Sequence, residues 1–202
     1  MELKDFYTFR SKLFETAFHA HSIGLNLSND STGVYDEHHL IMGSNARIKY
    51  PVLFKQEGGD KLTDVLDTGW PGLYLISDRL KNILEENSLS GWHTFSIVLT
   101  SKDDKVISGY FGLSILGKCG PISYDDCEII QKQASSNGAI IKYYKGLHIG
   151  LDKWDGTDFF LPEKNYGAIV TEKAMRSMIN NGVTNIQFTN LADIETPEFA
   201  IK

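Results

Sequence analysis

One strand–helix–strand pattern occurs twice in this chain, and it limits the fold more than any other feature of the sequence. In the first copy Leu73-Tyr74-Leu75-Ile76 is a short apolar run. Ser77 follows as a helix cap, and Asp78 stands in the first turn, where the helix dipole favours a negative charge. Leu80, Ile83 and Leu84 then fall on one helical stripe. Asn87-Ser88 ends the helix, and Trp92 to Leu99 alternates as a half-buried strand does. In the second copy Ala168-Ile169-Val170 leads to Thr171 as cap and Glu172 behind it. Ala174, Met175, Met178 and Ile179 make the apolar face, Asn181-Gly182 closes the helix, and Asn185 to Leu191 leaves as a strand.

The copies align without a gap at an offset of 94, the distance from Ser77 to Thr171. Ile76 meets Val170, Asp78 meets Glu172, Arg79 meets Lys173, Leu84 meets Met178 and Asn87 meets Asn181. The repeat spans residues 73–95 and 167–189. The fold it predicts is α+β: a mixed, mainly antiparallel sheet or sheets, two equivalent strand–helix–strand units and few helices. At 202 residues the chain fits one domain over 1–202. Residues 1–70 are its less regular part, and 71–195 hold the repeat.

Elsewhere the signals are local. Phe6-Tyr7-Thr8-Phe9 suits a strand, residues 12–18 a short helix or an irregular segment, and residues 24–46, rich in Gly, Asn, Asp and Ser, a loop. A strand is expected over 50–55, starting near Pro51. Residues 101–105 are a polar turn and 106–116 one glycine-spotted strand, the hairpin partner of 92–99. Residues 117–138 read as loop with a possible short helix, and 140–144 and 147–151 as strands.

Several function classes lack their residues. With 20 Lys and Arg against 26 Asp and Glu, the net charge is −6. No clustered basic patch serves nucleic acid. No apolar run approaches a membrane span and no apolar stretch follows the N-terminus, so a cytoplasmic protein is expected. Cys119 and Cys127 suit reduced thiols rather than a disulfide. The pairs His19/His21 and His38/His39 bind a metal only if the fold brings further ligands, and no HExxH is present. Neither a GxSxG elbow nor a glycine-rich phosphate loop occurs. Catalytic, cofactor and metal residues are therefore all expected to be none.

The most distinctive segment is Leu151-Asp152-Lys153-Trp154-Asp155-Gly156-Thr157-Asp158-Phe159-Phe160. Its three carboxylates at a spacing of three do not match a calcium loop. It reads first as a tight turn anchored by Trp154 and Phe160, and second as a partner contact. Trp92 suits the core, whereas Trp70, beside a Pro-Gly turn, is balanced between core and contact. The candidate partner-binding residues are Trp70, Asp152, Trp154, Asp155 and Asp158.

The ordered set Leu75-Ile76-Ser77-Asp78-Arg79-Leu80, Gly91-Trp92, Trp154-Asp155-Gly156-Thr157-Asp158-Phe159-Phe160 and Ile169-Val170-Thr171-Glu172-Lys173 resembles bacterial immunity protein family 11. That family was formerly a domain of unknown function and is found beside polymorphic toxins. The likeness covers roughly residues 70 to 195. It implies a cytoplasmic protein that binds and neutralises a cognate protein toxin and is not an enzyme, and it supplies no catalytic or metal residue. Two alternatives stay open. One is a small hydrolase-like enzyme using Cys119 or a His–Asp pair assembled by the fold. The other is a scaffold in a toxin-delivery system. The toxin, the contact surface and the oligomeric state are not written in the sequence.

Overall fold

In the computed structural model, residues 2–12, 14–25, 35–44, 48–133 and 138–201 are described. The first part of the chain forms β1 (Phe6–Ser11), β2 (His19–Ile23), α1 (Asp36–Ile41), β3 (Val52–Gly58) and β4 (Val65–Asp67). Next come β5 (Tyr74–Ser77), α2 (Asp78–Glu86), β6 (Trp92–Phe95), β7 (Ile97–Thr100), β8 (Val106–Ile107) and β9 (Tyr110–Ile115). Then follow β10 (Gly117–Ser123), β11 (Glu128–Gln133), β12 (Ile140–Lys145), β13 (His148–Ile149) and β14 (Phe159–Glu163). The chain ends with β15 (Ile169–Thr171), α3 (Glu172–Asn180), β16 (Ile186–Asn190) and β17 (Glu195–Pro197). Among the described residues this is mostly β-sheet with three α-helices.

The strands make a six-stranded sheet β13-β10-β14-β15-β1-β16, an eight-stranded sheet β6-β9-β5-β4-β2-β3-β7-β8, and a three-stranded sheet β11-β12-β17. Pairing is mainly antiparallel, with β10·β14, β2·β4 and β3·β7 parallel. β6 and β7 lie towards opposite ends of the larger sheet, yet only Ser96 separates them. The sheet therefore curls until its ends are joined through one residue. The alternating run over 92–99 is thus two strands in different places.

Each of the longer helices is nine residues with a side-chain cap. Ser77 Oγ accepts from the Leu80 N–H at 3.1 Å, and Thr171 Oγ1 from the Ala174 N–H at 3.3 Å. Leu80, Ile83 and Leu84 of α2, and Ala174, Met175 and Met178 of α3, are buried. Ile179, expected on the apolar face, is instead 54% exposed. α2 and α3 pack on each other. Strand β9 lies between β5 and β6, pairing Leu75 with Gly112 and Thr94 with Leu113. Strand β1 lies between β15 and β16, pairing Thr8 with Ile169 and Phe9 with Phe188. Phe9, Phe54, Leu75, Phe159 and Val170 share one buried cluster, so side chains from both large sheets meet in one core.

Two acidic residues fasten these parts. Asp64 accepts from Ser77 Oγ (2.8 Å), the Thr184 N–H (2.8 Å), Thr184 Oγ1 (2.8 Å) and the Arg79 guanidinium (2.7 Å). Asp158 accepts from Thr171 Oγ1 (2.9 Å), the Ser90 N–H (3.0 Å), Ser90 Oγ (3.1 Å) and Lys173 Nζ (3.4 Å). Each carboxylate thus holds the cap of the helix that follows it and the exit of the other helix.

Other segments also bear on the sequence expectations; 106–116, expected as one strand, is two, with β8 paired to β7 and β9 to β6. Residues 24–46, expected as loop, contain α1; 26–34 and 45–47 lie outside the described residues. A six-residue helix whose Tyr35 cap makes no side-chain bond carries too little periodic signal to be read. Residues 12–18, expected as a short helix or an irregular segment, are irregular, with a turn and an isolated bridge from Ala17 to Lys61 and with Leu13 outside the described residues. Residues 117–133, expected as loop, are β10 and β11, and 134–137 lie outside the described residues. β10 escaped reading because Gly117, Gly120 and Pro121 depress strand propensity, while a register shift between Cys119 and Pro121 lets it pair with β14.

Candidate functional site

A cleft of about 870 Å³ lies where β1 faces the end of β4. β1 supplies Phe9, Arg10 and Ser11, and β4 ends at Asp67. The turn after β4 supplies Gly69, Trp70, Pro71 and Gly72, α1 supplies His38, and the loop before β15 supplies Asn165, Tyr166 and Gly167. Gly72 explains how the two loops come so close. Its φ is +84°, and a Cβ there would lie 2.2 Å from the Tyr166 carbonyl oxygen. Only glycine meets both demands.

The wall is aromatic. His38 stacks on Tyr166 with centroids 3.7 Å apart and planes 5° from parallel. Trp70 meets His38 and Tyr35 edge-on, each at 5.5 Å. Burial, and the neighbouring His39, hold the His38 pKa below its ordinary value. Beside it Glu37 is buried with one oxygen accepting from Ser22 Oγ at 3.3 Å, and burial raises its pKa.

The floor is a polar cluster. Asp67 accepts from Ser11 Oγ at 2.7 Å and from the Gly69 N–H at 2.8 Å, and lies 3.1 Å from His19 Nδ1. His19 Nε2 lies 3.2 Å from Glu57. Serine, histidine and aspartate therefore meet here, but in the wrong order for acyl transfer. Ser11 is bonded to the carboxylate rather than to the imidazole, and Glu57 occupies the nitrogen that would take its proton.

The segment 151–160 is a turn built on its own bonds. Asp155 accepts from the Lys118 N–H at 2.9 Å and from Thr157 Oγ1 at 2.6 Å, and these bonds outweigh desolvation to hold its pKa below the ordinary value. Trp154 is half-buried, edge-on to Phe6 at 5.3 Å and tilted against Phe160 at 5.6 Å, and its indole N–H donates to Thr157 O at 3.2 Å. Asp158 is buried in the network described above, while Asp152 is exposed on a short 3-10 turn. Trp70 thus lies in the cleft, and the other four candidates lie together in a different segment. Sequence reasoning missed Arg10, Asp67 and Tyr166, because nothing in the sequence signals that these distant positions meet.

The thiols are poor nucleophiles. Burial, with Asp155 nearby, pushes Cys119 up to about 11, and burial also raises Cys127. Among the described residues no group of three His, Cys, Asp or Glu could hold a metal ion, and no helix is long and apolar enough to cross a membrane.

No curated protein matches the chain. The sequence model of the Immunity protein family (Imm11) matches residues 34–193, a stretch that takes in α1, both nine-residue helices, Trp70 and the 151–160 turn. The chain belongs to the Immunity protein family (Imm11).

Proposed function

We propose that this protein is a cytoplasmic immunity protein that neutralises a cognate bacterial toxin by direct protein–protein contact, without catalysis. The observation that carries this is the family match over 34–193. The −6 net charge favours encounter with a basic partner. Of the five candidate contacts, Trp70 and Asp152 are best placed: Trp70 lines the cleft and Asp152 is exposed, whereas Trp154 packs on Phe6, and Asp155 and Asp158 accept hydrogen bonds within the fold.

We further propose that the two strand–helix–strand units are equivalent halves of one domain. Asp64 and Asp158, Ser77 and Thr171, and Ser90 and Thr184 keep the same offset and make the same bonds. The units then act as scaffold, and the cleft between them is the working surface.

The test is co-expression of the full chain with the toxin encoded beside it. Rescue of growth together with co-purification of the two chains is expected. The absence of both rescue and co-purification overturns the proposal.

A further inference from the structure

The polar groups of the Trp70 cleft are unevenly used. Its acceptors are occupied: Asp67 has the Ser11 hydroxyl, the Gly69 N–H and His19, and Asn165 Oδ1 takes the Gly167 N–H at 2.7 Å. Its donors are not. Among the described residues, the Arg10 guanidinium makes no ion pair or hydrogen bond, and neither the Trp70 indole N–H nor the Asn165 side-chain amide donates. Arg10 is exposed, on a strand held on both sides by β15 and β16. It borders both this cleft and a smaller neighbouring one of about 180 Å³. A wall of unspent donors beside aromatic rings calls for an acceptor-rich, flat ligand. The cleft volume lies within the range of small-ligand sites, and aromatic-lined clefts of this kind hold interface anchors.

Resting on the immunity reading, we propose that this cleft receives an anchor from the toxin: a carboxylate beside an aromatic ring, the carboxylate bonding to Arg10 and the ring packing against Trp70. Arg10 and Asp67 line the same cleft, and this pair also fixes the register of docking, since a misplaced partner leaves its acid facing Asp67.

Two measurements test this. In the first, phenylacetate, phenylacetamide and phenethylamine are titrated into the full chain, and the Trp70 indole N–H resonance is followed, identified with Trp70→Phe. Saturable shifts with phenylacetate, at least about tenfold weaker with the amide and the amine and in Arg10→Gln, are expected. Equal responses to all three probes, no response at tens of millimolar, or an unchanged Arg10→Gln overturn the proposal. In the second, Arg10→Gln and Arg10→Lys are compared for toxin binding, with a thermal melt confirming that each folds. A loss of about tenfold or more in Arg10→Gln, partly restored in Arg10→Lys, is expected. If the wild type binds its toxin and Arg10→Gln binds equally, the anchor assignment falls and the immunity reading stands. If the wild type binds no toxin while phenylacetate still selects Arg10, the immunity reading and the anchor both fall.

Discussion

Asp64 and Asp158 are 94 positions apart and each accepts four hydrogen bonds of the same kinds: a cap hydroxyl, a backbone N–H with its own hydroxyl, and a cation. Both are buried, so removing either carboxylate strands several donors at once. Asp158→Ala and Asp64→Ala are each expected to cost about 3 kcal/mol in urea unfolding. A loss below about 0.5 kcal/mol would show that water replaces the carboxylate.

Trp154 and the proposed contact residue Asp152 lie in one segment and can be tested apart. Trp154→Ala removes the ring between Phe6 and Phe160 and is expected to cost about 2–3 kcal/mol, discounted from a full core deletion because the ring is only half-buried. Asp152→Asn is expected to stay within about 0.5 kcal/mol of wild type. Toxin affinity measured on the same two variants then reports contact for Asp152 free of any folding effect.

Gly72→Ala drives a methyl into the Tyr166 carbonyl at a positive φ. It is expected to destabilise by about 2 kcal/mol or more, by backbone strain and overpacking. It is also expected to push the 165–167 loop away from the Trp70 turn, which crystallography or the Trp70 indole resonance would detect.

His38 gives an acid limb. Its folded pKa lies below the ordinary 6.5, so the unfolded chain binds the proton first as pH falls. The stabilisation is present above 6.5 and is lost on going down through the folded value. Chemical unfolding at pH 7.5 and 5.5 is expected to show a smaller drop for His38→Phe than for wild type, since phenylalanine keeps the stack on Tyr166 and has no proton to gain.

Cys119 gives an alkaline limb of opposite slope. Its ordinary value is 9 and its folded value about 11, so the unfolded chain releases its proton first as pH rises. Stability present below pH 9 is lost between about 9 and 11. Cys119→Ala is expected to flatten this limb, and at pH 8 a thiol reagent is expected to label the half-buried Cys127 ahead of buried Cys119.

The sequence disclosed what local chemistry dictates. Ser77, Thr171 and their stripes announce helices because capping and periodicity act within one or two turns. The turn at Asp155-Gly156 was legible for the same reason. The cleft was not. Arg10, Asp67 and Tyr166 are each unremarkable in their own segments and come to line one cleft only because the fold brings together positions from across most of the chain. Asp158 shows the converse. In sequence it is one acid of three on a conspicuous loop, and only its bonds to Thr171 and Ser90 reveal that it supports the fold.

The position of β1 sets an order of events. It leaves the ribosome well before its neighbours β15 and β16, which follow more than a hundred residues later in the chain. At ordinary rates of synthesis the gap is on the order of ten seconds or more. Through that interval Phe6 and Phe9, both buried at the end, have no sheet to enter. The six-stranded sheet can close only after β15 and β16 have been made, so a nascent chain must be kept from aggregating until those distant strands arrive.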